Sequence, residues 1–100
     1  MSGVFRFAFK EDVSLVDAEL SLHLAIFAVE GLFGVARVRL EVSYHVEEPR
    51  RVIVVDGSNE VGGALVRVFT NLLLREFGED AFQVRRADPS PAPVTEGRAA

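Results

Sequence analysis

One hundred residues suit a single domain, and 49% hydrophobic with 26% charged content is an ordinary globular balance. The absence of cysteine excludes a disulfide scaffold, thiolate metal ligands and a cysteine nucleophile, and it fits a reducing, cytoplasmic setting. A net charge of −4 and a pI near 5.1 argue against general nucleic-acid affinity, which depends on neutralising phosphates with Lys and Arg.

The first residues alternate: Phe5, Phe7 and Phe9 point one way and Arg6, Ala8 and Lys10 the other, the period of a half-buried strand. Arg6, Lys10, Glu11 and Asp12 also deny this end the layout of a signal peptide. Ser14 with Asp17 three residues on reads as a helix start, and the helix should run to about Phe33 with Gly34 just beyond its end. Gly31 is expected to weaken its last turn. Asp17, Glu19, His23 and Glu30 interrupt this most apolar run before it reaches the roughly 20 apolar residues of a membrane span, so no membrane partner is expected.

From Val35 the two-residue period returns: Val38, Leu40, Val42, Tyr44 and Val46 alternate with Arg37, Arg39, Glu41, Ser43 and His45, predicting a long strand. Glu47-Glu48-Pro49 makes a turn, and residues 51–55 form a nearly continuous apolar strand suited to a central position. Asp56-Gly57-Ser58-Asn59 leads into a second helix over about 60–77, with Val61, Leu65, Val68, Phe69 and Leu72 on one side and Glu60, Arg67, Asn71 and Arg75 on the other. Gly78 ends it, and residues 81–86 form a last strand. Residues 1–87 are thus one domain, and the Pro- and Ala-rich stretch 88–100 is expected to be disordered.

The order strand, helix, strand, strand, helix, strand, with right-handed crossovers, predicts an α+β ferredoxin-like sandwich: a four-stranded antiparallel sheet with both helices on one face.

The first helix is too apolar for a two-layer sandwich. At 100° per residue Leu15, Ala18, Leu22, Ile26, Val29 and Phe33 form one stripe, and Leu20, Leu24 and Phe27 form a second on the other side. Glu19, His23 and Glu30 make a narrow polar ribbon between them. Leaving Leu20, Leu24 and Phe27 in water forgoes about 1.5–3 kcal/mol each, so they are the expected interface of a homo-oligomer, most simply a dimer, or of a docked protein partner. The alternative is that the second helix covers them.

Glu19 and His23, four residues apart, share a helix face and could seed a metal or acid-base site, but they fall short of the three or four ligands a metal usually takes, so no metal or cofactor is expected. The 56–59 turn lies where an anion could meet a helix N-terminus, yet it lacks the glycine and Lys-Ser/Thr pattern of a phosphate-binding loop, and capping by Asp56, Ser58 or Asn59 explains it. Gly62-Gly63 would allow the first turn of the helix to approach a neighbouring backbone. With the phenylalanines facing the helices, the open sheet face would carry Arg6, Lys10, Arg37, Arg39, Glu41 and His45, joined by Arg51 and Arg85 if their strands keep phase. That is a basic patch without stacking rings, the basis of a second reading as a nucleic-acid or phosphoanion binder. Tyr44 falls on the apolar side of its strand and is expected as a core ring. No serine lies in a nucleophile-elbow motif, and a non-catalytic interaction module is the preferred reading.

Overall fold

A computed structural model describes residues 3–87; the expectation for 88–100 lies outside the described residues. The described residues form an α+β fold, with one four-stranded open antiparallel sheet and three helices among them. In order they are β1 (Val4–Phe9), α1 (Leu15–Phe33), α2 (Val35–Glu41), β2 (Tyr44–Glu47), β3 (Val52–Asp56), α3 (Glu60–Phe77) and β4 (Phe82–Ala87), with a single 3-10 turn, Glu79–Ala81, leading into β4. The strands lie in the order β2-β3-β1-β4, so the Phe-rich β1 is central and β2 and β4 are edges.

Local chemistry accounts for the element ends. The Ser14 hydroxyl accepts the Asp17 N–H at 3.2 Å and caps α1, which runs through Gly31 without an early end. Gly34, at φ +90°, donates its N–H to the Glu30 carbonyl at 2.8 Å and turns the chain out of α1. At the start of α3 the Asn59 side chain acts twice: its Oδ1 accepts the Gly62 N–H at 2.6 Å, and its Nδ2 donates to the Glu41 carbonyl at 2.9 Å, holding the end of α2. A Cβ on Gly62 would lie 2.1 Å from the Asp56 carbonyl oxygen, so the close approach of this turn to the end of β3 requires glycine.

The long strand expected from Val35 is a correction. Residues 35–41 are helical, and only Tyr44–Glu47 pair as a strand. Val35, Val38 and Val42 also recur at three and four residues, so this stretch satisfies both periods. The helical choice buries Val38, pairs Arg37 with Glu41 at i,i+4 and leaves Leu40 86% exposed, where a strand was expected to bury it.

Register fixes the sheet faces. Phe7 stands opposite Ile53 on β3 and Val84 on β4, and Phe5 opposite Val55 and Arg86. Phe7, Phe9, Ile53, Val55 and Phe82 join Ala18, Leu22, Ala25 and Val29 of α1 and Val61, Leu65, Phe69 and Leu73 of α3 in one buried cluster. The Phe7 and Phe69 rings meet at 4.8 Å, tying the central strand to α3. Arg51 has φ 56° and closes the β2–β3 turn, its N–H donating to the Glu48 carbonyl at 3.1 Å. Its guanidinium donates to the carbonyls of Lys10 and Val13, fastening this turn to the link between β1 and α1.

Candidate functional site

On α1 the residues at 180–260° around the axis, counted from Val16, enter the core. Ser21 is buried beside them and donates its hydroxyl to Glu76 Oε1 of α3 at 2.6 Å, so the polar group facing α3 is satisfied. Leu20, Leu24 and Phe27 lie on the opposite side and are 58%, 59% and 74% exposed. The helix expected to cover them, α3, does not: it packs along the Ser21 side. Val16, also exposed, stands at the head of the same stripe, and its helical angle was available from the sequence. From Val16 to Phe27 the exposed stripe extends for about 16 Å along the axis.

The polar ribbon borders this stripe on one side. His23 Nε2 lies 3.8 Å from Glu19 Oε2, and the His23 ring meets Tyr44 edge-on with centroids 6.2 Å apart. Tyr44 is therefore a partly exposed ring at the β2 edge, and the expectation of a core tyrosine is corrected: β2 is too short and too marginal for the helices to cover its first residue. Glu30 is two turns beyond His23 and apart from this pair. No group of three or more His, Cys, Asp or Glu side chains converges among the described residues. Beside the ribbon, Glu19, His45, Glu47 and Arg50 line a wide hollow of about 710 Å³.

The basic face assembles with different members from those expected. Arg37 and Arg39 belong to α2, away from the sheet, because residues 35–41 are helical. Arg37 is held by Glu41 Oε2 at 2.9 Å and Glu60 Oε1 at 3.0 Å, lies 5.1 Å over the Phe33 ring, and has its pKa raised by the hydrogen bonds to Glu41 and then Glu60. Arg51 is spent on the carbonyls of Lys10 and Val13. Arg6 and Arg85 do share the open face, as direct partners in the β1–β4 register. Arg50, whose place in a turn gave no phase to read, joins them around a hollow of about 340 Å³ floored by Ala8 and Val52, with Gln83 at its side. Lys10 lies just past the end of β1 and borders a smaller neighbouring hollow with Ala8 and Gln83.

The 56–59 turn is filled by its own side chains. Asp56 Oδ1 accepts the Ser58 N–H at 2.9 Å and Asn59 caps α3, so the N-terminal donor at Gly62 is taken. No helix among the described residues is long and apolar enough to cross a membrane. No protein-family model matches the chain, and neither a curated protein nor a solved structure matches it significantly.

Proposed function

We propose that the chain is a non-catalytic interaction module that pairs with a second copy of itself through the outer face of α1. The exposure of Leu20, Leu24 and Phe27 on the side of α1 opposite the core carries this reading. The stripe is also self-complementary. Two copies of α1 packed antiparallel about a two-fold axis near position 22 set Leu20 of one against Leu24 of the other, and the small Val16 against the large Phe27. Glu19 and His23 then lie at the rim, where polar groups keep their contact with water.

The fold behind this surface reads as a ferredoxin-like sandwich with α2 added at the first crossover. The strand-helix-strand-strand-helix-strand order and the sheet order β2-β3-β1-β4 support it. The lack of cysteine supports a cytoplasmic setting.

Size-exclusion chromatography with light scattering tests the pairing. The expected mass is twice the 11.0 kDa chain, with Leu24→Arg returning it to one chain while its circular dichroism is unchanged. A wild-type protein that stays monomeric up to millimolar concentration, or a dimer indifferent to Leu24→Arg, sinks the proposal.

A further inference from the structure

The geometry points to a second, independent site: Arg6, Arg50 and Arg85 on the open sheet face form a receptor for a compact anion bearing paired phosphate groups. Three observations support it. Arg6 and Arg85 are opposite one another in the β1–β4 register, where like charges repel and weaken the strand pair unless an anion lies between them. The side chains of Arg6, Arg50 and Arg85 have no ion pair or hydrogen bond with another described residue, whereas the Arg37 side chain holds two carboxylates, that of Arg51 two carbonyls, and Arg86 is also engaged. The three converge on one hollow of about 340 Å³ whose floor is apolar, with Val52 only 3% exposed although it lies on the face away from the helices.

An apolar floor lowers the local dielectric and strengthens charge-assisted hydrogen bonds, and guanidinium forks match phosphate oxygens in pairs. Three such charges in a chain of net charge −4 suit a ligand carrying several negative charges on few atoms. A nucleic-acid strand fits less well. The face offers no phenylalanine or tyrosine for base stacking, since Phe5, Phe7, Phe9 and Tyr44 have the phase that points to the helices, and Ala8, Val52 and Val54 fill the middle. Gln83 at the side adds an uncharged donor.

Inorganic pyrophosphate is the probe, titrated into isotope-labelled protein and followed by amide shifts and calorimetry. Saturable binding is expected, with shifts centred on Arg6, Ala8, Gln83 and Arg85. Arg6→Gln and Arg85→Gln should each weaken it about tenfold or more, and Arg39→Gln, on α2, should leave it unchanged. Without ligand, Arg85→Gln should unfold at the same or a higher temperature than the wild type, because it removes a like-charge pair. Absence of saturable binding, equal weakening by Arg39→Gln, or a lowered melting temperature in both sheet-face variants overturns the site. A single-stranded oligonucleotide that binds more tightly than pyrophosphate, increasingly so with length, overturns it in favour of a nucleic-acid face.

Discussion

Arg51 places a bulky residue at φ 56°, a left-handed backbone conformation that costs roughly 1–2 kcal/mol for a residue with a Cβ. Its guanidinium offsets that cost by donating to the carbonyls of Lys10 and Val13, which closes the joint between β1 and α1 over the β2–β3 turn. Arg51→Ala keeps the strained backbone and removes the clamp, so denaturant unfolding should show a loss of about 2 kcal/mol. Arg51→Gly relieves the backbone and should lose less. Equal stability of Arg51→Ala and the wild type would show that the clamp contributes nothing. The sequence places Arg51 at the head of a strand, because a two-residue period says which face a side chain takes and nothing about a turn. Arg50 was hidden for the same reason, whereas Ser14, Asn59 and Gly34 act as the caps and end signals that their residue types announce.

Among the elements, α1 and α3 have the bounds that their caps and glycines suggested, and α2 replaces most of a strand. The error has a physical source. Seven residues are too few for periodicity to separate 2.0 from 3.6, and the contacts that accompany the helix, Arg37 with Glu60 and Asn59 with the Glu41 carbonyl, are tertiary and not legible in the sequence. The two faces of α1 were legible because nineteen residues give five turns over which the stripes separate. They differ sharply in what they contribute to one folded chain. Leu22→Ala, in the core, should cost about 2–5 kcal/mol. Leu24→Ala, measured at concentrations where single chains prevail, should change stability by less than about 0.5 kcal/mol. Denaturant melts of the two variants side by side check this, and a large loss from Leu24→Ala in a monomer would mean that the outer face is covered from within the chain.

Across the whole molecule the two layers divide the candidate surfaces. The helical side offers the apolar face of α1, and the sheet offers arginines without carboxylate partners, so a copy seated on α1 leaves the sheet free. Pairing of copies makes stability depend on concentration. The melting temperature of the wild type should rise as protein concentration increases, and that of Leu24→Arg should not. Parallel melting curves at micromolar and millimolar concentration provide the check; identical slopes for the two proteins would contradict an apolar interface at Leu24. The four-stranded antiparallel sheet followed from element order and handed crossovers, but the composition of its basic face did not, because that required knowing which arginines the helix α2 would withdraw.

The two-handed amide of Asn59 links events that are distant in sequence. One end of the side chain secures the first turn of α3 and the other the carbonyl of Glu41 at the end of α2, so a change at this one residue is felt by both. Carboxylate at that position would retain the cap and repel the Glu41 carbonyl; a hydrocarbon would forfeit both. Losing the amide therefore weakens the end of α2 and the first turn of α3 together, by about 0.5–1.5 kcal/mol for each hydrogen bond, and leaves Arg37–Glu60 as the remaining side-chain tie between the two helices among the bonds described above.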